Sequence, residues 1–346
     1  MARRALWIGA GLLGLAGLLT AGRGALWLPA AVETARVEGL PARTPLRRGE
    51  PLSLLFWNVQ YAGSRGLHFF YDGGEAVRVP AAVVEATLAG QRALIQADAP
   101  DLLLLAEADR GSDRTGRVDE FAALTGGWPQ RTSAPYHRAI YVPHPSHQPM
   151  GRVEMHLGLA SRLPLRAATR HQLALLDESP LRRLFNLRRA LLDTRLPLEG
   201  GGELAVLVTH LSAFSRGDGT LGAQIEQLAA HLARLDAEGT QWVLLGDLNA
   251  LPPGDAPDRL GEAAALYPEG GSPLTPLYRR WRGVPPLEQA LDPAWRTYLP
   301  FGSDTPDRTL DYGFVSDGIV LIDARTVPVG GAWSDHLPLR VELAVR

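Results

Sequence analysis

The 346-residue sequence contains no cysteine and no lysine, and both absences narrow its chemistry. Without cysteine, the protein has no disulfide, no thiolate zinc site, no cysteine nucleophile and no lipid-modified cysteine. Without lysine, it has neither a lysine-based phosphate loop nor a Schiff base. All 35 basic residues are therefore arginine.

The chain also lacks an excess of charge of either sign. Its formal net charge is -2 and its pI is about 6.5, so strong non-specific DNA binding through phosphate neutralisation is not expected. Hydrophobic residues make up 46% of the chain and charged residues 21%. This composition is typical of a globular protein with a large core, and the length allows one large domain or two ordinary ones.

An uncharged run of 18 residues, Ala5 to Gly22, follows Arg3 and Arg4 at the N-terminus. A membrane span needs about 20 apolar residues and a signal-peptide core about 7–15, so the run lies between the two. The preceding arginines favour a cytoplasmic N-terminus, with the rest of the chain outside the membrane. We expect an uncleaved anchor, with a cleaved signal or a buried helix of the folded domain as alternatives.

The next segment, Val32 to Glu50, contains prolines and arginines without a hydrophobic period, which favours a linker. We therefore divide the chain into residues 1–45, an anchor or signal plus linker, and residues 46–346, one folded domain. No second boundary is evident after residue 50.

Short apolar runs alternate with helical patterns in the second part. Buried strands are predicted for LSLLFW, DLLLLAE, LAVLVTHL and QWVLLGDLN, and helices for Pro80 to Ala97 and Thr220 to Glu238. Such alternation, with polar residues at the strand ends, indicates a layered α/β protein whose site lies at one edge of its sheets. We expect two facing sheets in a single domain, because these strands occur on both sides of Gly200.

Six polar motifs follow the apolar runs. In chain order they are Trp57-Asn58-Val59-Gln60, Glu107, Thr209-His210-Leu211, Gly246-Asp247-Leu248-Asn249, Leu310-Asp311-Tyr312 and Ser334-Asp335-His336-Leu337-Pro338. With these motifs, residues 52–345 resemble the endonuclease/exonuclease/phosphatase superfamily, which includes DNase I-like nucleases, neutral sphingomyelinases and inositol polyphosphate 5-phosphatases. The stretch 158–165 is similar to the central strand of that family. The resemblance implies a four-layer α/β sandwich, two facing mixed sheets flanked by helices, and metal-dependent phosphoester hydrolysis.

The chemistry of a phosphodiester accounts for the carboxylates in these motifs. The substrate is anionic, so attack requires a hard cation such as Mg²⁺, with Mn²⁺ as an alternative, held by one or two carboxylates. Glu107 is the best ligand candidate, because a carboxylate after four leucines is costly to bury without a purpose. We expect Asn58 to hold the metal water or a phosphate oxygen. The resemblance implies that Asp335 binds the ion directly or through water.

The other motif residues are candidates for catalysis. Asp247 and Asn249 occupy alternate strand-like positions and are expected to point the same way. The resemblance implies that Asp247 orients or deprotonates the attacking water and that Asn249 positions this water or the phosphate. Asp311 is expected to orient His336 as an imidazolium beside the phosphate. His210 is expected to protonate the leaving oxygen.

Three further groups are candidates for contact with the substrate. Arg188 or Arg189 is expected to reach the substrate phosphate, the alternative being a solvated face. The run His68 to Tyr71 is expected to cover the site or contact a bilayer, or else to form a buried aromatic cluster. A histidine-rich stretch suggests zinc, but its prolines favour a rigid loop at the lip of the site; it contains His137, His144, His147 and His156.

The motifs do not identify the substrate, because specificity in this fold lies in loops. The chain lacks a PxWCDR-like segment and its GDLNALPPG departs from GDxNYR, which disfavours an inositol 5-phosphatase. A cytoplasmic repair nuclease has no need of an apolar N-terminus. We expect a Mg²⁺-dependent phosphodiesterase acting on a phospholipid head group outside the cytoplasmic membrane. The alternatives are an exported DNase I-like nuclease and a catalytically silent membrane-anchored binding protein, and no oligomeric state is indicated.

Overall fold

Two mixed sheets of seven strands form the frame of the molecule in the computed structural model, which describes residues 27–40, 44–213, 218–267 and 271–346. The strands are β1 (Val32–Thr34), β2 (Val37–Gly39), β3 (Leu52–Asn58), β4 (Leu102–Asp109), β5 (Gln130–Val142), β6 (Gly151–Ser161), β7 (Ala167–Gln172), β8 (Ala190–Pro197), β9 (Glu203–His210), β10 (Gln241–Asp247), β11 (Arg282–Val284), β12 (Asp311–Val315), β13 (Ile319–Thr326) and β14 (Leu339–Val345). The first sheet has the order β1-β7-β8-β9-β10-β12-β11, and the second β13-β14-β3-β4-β6-β5-β2.

Helices cover the sheets. The described α-helices are α1 (Ala81–Asp98), α2 (Glu120–Thr125), α3 (Thr220–Ala237) and α4 (Thr275–Arg280). Short 3-10 helices lie at Gln60–Ala62, Phe70–Asp72, Asp113–Thr115, Arg182–Leu184, Pro257–Leu266, Leu287–Gln289 and Pro293–Trp295. Helices α1 and α2 pack on the second sheet, and α3 and α4 pack on the first. The expected four-layer α/β sandwich is confirmed, with α1 and α3 within one residue of the predicted helices at each end.

The continuously apolar runs form strands that are covered on both faces, as their composition requires. In β10, Val243 and Leu245 face the core between the two sheets. The alternate residues Trp242 and Leu244 pack with Leu228 of α3 in a separate outer core. Because successive side chains point to opposite faces of a strand, one apolar run serves both cores.

The predicted linker is wrong for part of its length. Strand β1 pairs antiparallel with β7 in the first sheet, and β2 pairs antiparallel with β5 in the second. Further along, Leu46 is buried and forms a bridge with Leu198. Two strands of three residues are too short for a hydrophobic period to reveal them, although they join the edges of both sheets.

The predicted anchor, Ala5 to Gly22, lies outside the described residues. None of the helices in the described part of the chain combines the length and the apolar character needed to cross a bilayer. The division of the chain at residue 45 stays a prediction.

The strand order brings the polar motifs to one edge of the sandwich. Strands β9 and β10 are parallel and end at His210 and Asp247, which pair directly. Strand β12 runs antiparallel to β10 and begins at Asp311, opposite Asp247. In the second sheet β3 runs parallel to β4 and ends at Asn58. Side chains far apart in sequence therefore meet where the carboxyl ends of the parallel strands converge.

Candidate active site

A cavity of about 1,050 Å³ opens at this edge of the sandwich. Beside charged residues of the surrounding segments such as Arg182 and Arg308, its lining contains a group of polar residues near the strand ends and a mainly aromatic and aliphatic group around them. We call the first group the floor, which consists of Glu107, His210, Asp247, Asn249, Asp335 and His336. We call the second group the outer wall, which consists of His68, Phe70, Tyr71, His137, Val142, His144, Met150, Tyr267 and Phe301.

Asn58 lies beneath the floor and links the carboxylates of the two sheets. Its amide nitrogen donates to Oε1 of Glu107 at 3.1 Å and to Oδ2 of Asp247 at 3.0 Å. Its amide oxygen accepts the backbone N–H of Gln60 at 3.1 Å. In this orientation Asn58 organises the two carboxylates with its nitrogen, and its contact with the metal water or a phosphate oxygen stays a prediction.

Glu107 reaches the cavity because the strand that carries it is irregular. The pairing of β4 with β6 shifts in register between Leu105 and Ala108, and Glu107 adopts a left-handed φ of 59°. A bulge of this kind redirects a side chain, and a non-glycine residue in this conformation is strained. The carboxylate is 20% exposed, so it faces the cavity.

His336 lies between two buried carboxylates. Its Nδ1 donates to Oδ2 of Asp311 at 2.8 Å, and its Nε2 lies 3.6 Å from Oδ2 of Asp247. Burial opposes charge on the ring, but Asp311 and then Asp247 outweigh it and hold the pKa of His336 well above its ordinary value. This environment favours the imidazolium form of His336, and the contact predicted between Asp311 and His336 is present.

Two carboxyl groups of the floor carry a strong desolvation penalty. Burial raises the pKa of Asp247 to about 7, although His336 and the amide of Asn58 oppose the shift. Burial likewise raises the pKa of Asp335 to about 7, and the nearby charge of Glu107 adds to it. A group with such a pKa is suited to exchange a proton near neutral pH. A bound cation would offset the same penalty, so the carboxylate oxygens of Glu107 and Asp335 fit a divalent metal.

Asp311, beneath the floor, forms a second cluster of possible metal ligands with two floor residues. One ligand atom from each of Asp247, Asp311 and His336 lies within 4.8 Å of the others. Nδ1 of His336 is already engaged by Asp311, so we interpret this set as a carboxylate-oriented imidazolium rather than as the metal site.

Tyr136 of β5 belongs to the site, and the sequence analysis missed it. Its hydroxyl accepts the backbone N–H of Glu107 at 3.1 Å and lies 3.1 Å from Nδ1 of His210. A hydroxyl proton donated to Nδ1 favours the tautomer of His210 that carries its ring proton on Nε2, which lies 3.4 Å from Oδ2 of Asp247. Tyr136 lies in the histidine-rich stretch predicted as a rigid loop, most of which is strand in β5 and β6.

The environment of His210 favours its neutral form. Burial first, then the positive charges of Arg189 and His336, hold its pKa well below the ordinary value. A neutral imidazole with Nε2 protonated donates a hydrogen bond but is a weak acid. A hydrogen-bond donor role fits this environment, and the expected role of His210 as proton donor to the leaving oxygen stays a prediction.

Asn249 reaches the cavity by a different route from the one predicted. Strand β10 ends at Asp247, and Asn249 has a left-handed φ of 48°. Its backbone N–H donates to Oδ1 of Asp247 at 3.0 Å, and its side-chain nitrogen donates to the carbonyl oxygen of Leu211 at 3.0 Å. The expected strand alternation is thus wrong, because a local turn brings Asn249 beside Asp247.

The two arginine candidates have different positions. Arg189 is buried at 5% exposure, lines the cavity and lies 5.3 Å from the ring centroid of Tyr136. Its Nε and Nη1 have no hydrogen-bond partner among the described residues. Arg188 instead donates to Oε1 of Gln172 and to the carbonyl oxygen of Arg183, outside the cavity. Of these two candidates Arg189 is the one that lines the cavity, and its contact with a phosphate stays a prediction.

The remaining candidates lie at the outer wall or away from it. His137 and His144 line the cavity, whereas His147 is exposed on the loop between β5 and β6. His156 contacts Oγ of Ser133 at 3.0 Å. Among the described residues these histidines form no metal-capable cluster. Of the aromatic run, His68, Phe70 and Tyr71 cover the site while Phe69 is buried, so both expectations for this run hold in part.

Comparison with known proteins identifies the same architecture elsewhere. The model of the Endonuclease/Exonuclease/phosphatase family matches residues 55–336. The endonuclease/exonuclease/phosphatase from Beutenbergia cavernae DSM 12333 shares 23% identity and a TM-score of 0.59, over 86% of this chain and 72% of that one. The human Nocturnin catalytic domain with bound sulfate anion shares 16% identity and a TM-score of 0.53, over 90% of this chain and 97% of that one.

A functionally unknown conserved protein from Enterococcus faecalis V583 shares 15% identity and a TM-score of 0.55, over 85% of this chain and all of that one. No curated protein matches the chain significantly. At these identities the solved structures show a common fold.

Proposed function

Because this chain belongs to the endonuclease/exonuclease/phosphatase family, we propose that it is a phosphodiesterase that hydrolyses a phospholipid head group outside the cytoplasmic membrane. Members of the family are typically metal-dependent hydrolases of phosphoesters. The proposal adds three points to that description, namely the phosphodiester, the lipid and the location. Ala5 to Gly22 would hold the catalytic domain at the periplasmic or extracellular surface.

The observation that carries the proposal is the contrast between the two parts of the cavity. The floor offers groups suited to bind an anion and a cation, while many of the side chains around it are aromatic or aliphatic, although charged residues such as Arg182 and Arg308 also line the cavity. An amphiphilic ester would place its phosphate on the floor and its apolar part against the wall. A net charge of -2 supports a lipid over DNA, whose binding relies on many basic contacts.

Glu107 and Asp335 would hold the divalent cation, with Mg²⁺ favoured by their oxygen ligands. When bound, such an ion polarises a phosphoryl oxygen and neutralises charge on the ester. Asn58 links Glu107 and Asp247 by donating a hydrogen bond to each carboxylate.

The side chains around the ion site supply the other functions. Arg189 lines the cavity, and Asp311 holds His336 and favours its imidazolium form, so both are suited to an anionic phosphate. Asp247, with its pKa of about 7, is suited to orient or deprotonate the attacking water. His210 would donate its Nε2 proton in a hydrogen bond to a phosphate oxygen.

The direct test compares three substrates with the purified full-length chain. These are vesicles of phosphatidylcholine or sphingomyelin, plasmid DNA, and the soluble diester bis(4-nitrophenyl) phosphate, each with Mg²⁺ and with EDTA. We expect release of the phosphorylated head group from vesicles and its loss in EDTA. Mg²⁺-dependent cleavage of DNA without cleavage of phospholipid would instead establish the exported nuclease. Metal binding without turnover of any ester would establish the silent binding protein.

A deletion of residues 1–26 tests the proposed location. It leaves Trp27 in place, whose carbonyl oxygen accepts Nε of Arg138 at 2.6 Å and whose ring lies under Arg152. We expect the shortened protein in the soluble fraction, with a much lower rate on vesicles and an unchanged rate on the soluble diester. Equal loss on both substrates, or a full-length protein found in the cytoplasm, contradicts the proposed tether.

A further inference from the structure

A second cluster of metal-ligating side chains lies on the outer face of the first sheet, under α3. His171 comes from β7, Asp193 from β8 and His231 from α3, and one ligand atom from each lies within 4.8 Å of the others. We propose that these three residues bind a zinc ion that fixes α3 to the edge of the first sheet. This site is separate from the cavity and independent of the proposed function.

The strand register directs the side chains of the cluster to the same face. His171 pairs with Leu191, and Asp193 lies two residues further along β8. Residues two apart on a strand share a face. Leu191 belongs to the outer core together with Leu228 and Leu232 of α3, which flank His231 on the helix. The side chains of His171, Asp193 and His231 therefore all lie beside the apolar contact between α3 and the first sheet.

The distances within the cluster are close to those of a metal site. Nε2 of His231 lies 3.0 Å from Oδ2 of Asp193. The rings of His171 and His231 have centroids 4.8 Å apart and are inclined at 62°, so they are not stacked. Asp193 is 3% exposed and His231 is 11% exposed, so water competes weakly for these ligand atoms.

The donor set selects the kind of ion. Two imidazole nitrogens and one carboxylate oxygen match zinc, which binds such ligands at about 2.0–2.2 Å and takes water in a fourth position. Magnesium and calcium prefer oxygen ligands. Zinc binds the neutral form of histidine.

Arg195 is expected to limit the affinity of this cluster for zinc. It donates from Nε to Oδ1 of Asp193 at 2.7 Å and from Nη2 to Oδ2 at 2.8 Å, so the carboxylate charge is already balanced. A carboxylate has about four lone-pair positions, so Oδ2 can also accept a metal, while the bond to Oδ1 orients the group. We therefore expect weaker zinc binding than in a site with four protein ligands.

An ion pair among Asp193, Arg195 and His231 is the simpler explanation for part of this arrangement. That explanation gives no role to His171, whose ring has no hydrogen bond within the described part of the chain but lies within reach of the other two ligands. His171 is therefore the residue that separates the two interpretations. Replacing it removes a zinc ligand without breaking the ion pair.

Calorimetric titration of Zn²⁺ into the metal-stripped full-length chain, in excess Mg²⁺, tests the site. Every protein in the titration carries Glu107→Gln, which weakens the binding of zinc in the cavity. We expect one zinc equivalent whose affinity falls at least about tenfold in His171→Ala and also in His231→Ala. The matched control is His147→Ala, since His147 is an exposed histidine outside the cluster.

Thermal unfolding supplies the second measurement, because an ion that binds only the folded state raises Tm. Zinc should raise Tm in the parent and in His147→Ala but not in His171→Ala. Far-UV circular dichroism establishes that each variant is folded. The proposal is overturned if the parent binds no zinc in excess Mg²⁺, or if His171→Ala binds it as the parent does.

Discussion

The floor and the outer wall of the cavity are built in different ways. Floor residues lie near strand ends and are held by short polar contacts, such as the 2.8 Å bond that Asp311 makes with His336. Wall residues lie mainly on loops and contact one another through aromatic faces, such as the rings of His68 and Phe301 stacked at 4.0 Å. A rigid polar floor is suited to a reaction common to many esters, and a wall on loops is suited to selecting among them.

The largest effect is expected from the floor and should not depend on the substrate. His336→Ala or Asp247→Ala should lower kcat by about 10² or more, because each removes charge stabilisation or a base from the transition state. The drop should be equal on vesicles and on a soluble diester. Asp258→Ala, at an exposed carboxylate, is the control and should keep full activity.

Asp311→Asn should act in the same direction, since it removes the negative charge that orients His336 and raises the pKa of its ring. A loss restricted to one substrate in any of these variants would break the division between floor and wall.

Tyr136→Phe should have the next largest effect, about tenfold on kcat, because its hydroxyl positions His210 without reaching the cavity itself. The variant frees the ring proton of His210 to move to Nδ1, which ¹⁵N NMR of the imidazole reports. Tyr312→Phe is a matched control, since Tyr312 is equally buried but donates to the carbonyl oxygens of Ala250 and Thr309. An unchanged His210 tautomer in Tyr136→Phe would show that the contact is only structural.

The same division explains which parts could be predicted from sequence. Asn58, His210 and Asp247 follow continuously apolar runs, so strand ends mark them in the sequence. Tyr136 carries no such mark, because it lies in the middle of β5 and its partners arrive from β4 and β9. The backbone of Asn249 was mispredicted because a side-chain to backbone bond ended the strand two residues early.

The outer wall had no periodicity from which to predict it, and neither did the two short strands β1 and β2. The run His68 to Tyr71 showed its aromatic character but not its neighbours, since Phe301 stacks on it from more than 200 residues away. Contacts of this range depend on the finished fold.

A smaller and selective effect is expected from the wall. Phe301 is 45% exposed and lines the cavity, so Phe301→Ala removes apolar area where the lipid part of the substrate would lie. We expect a several-fold lower rate on vesicles and an almost unchanged rate on bis(4-nitrophenyl) phosphate. Leu287→Ala is the control, because Leu287 is 47% exposed and lies outside the cavity lining. Equal losses on the two substrates would place Phe301 with the floor.

The smallest effect on the protein at neutral pH is expected for a substitution of His137. This wall histidine differs from the charged groups of the floor because burial favours its neutral form. Burial lowers the pKa of His137 to about 4, although its Nε2 donates to the carbonyl oxygen of Phe185 at 3.0 Å.

An unfolded histidine titrates near pH 6.5. Above that pH His137 is neutral in the folded and in the unfolded protein, so its titration does not change the free energy of unfolding. Between about pH 6.5 and 4 only the unfolded chain takes up the proton, so the free energy of unfolding should fall by about 3 kcal/mol as the pH decreases. His137→Gln keeps a donor toward Phe185 and should remove most of this loss, whereas His147→Gln, at an exposed position, should not. Denaturant unfolding of the metal-free proteins at about pH 7 and pH 4 measures the difference. An equal loss in the parent and in His137→Gln would show that His137 is protonated in the folded protein and that the wall, like the floor, carries charge.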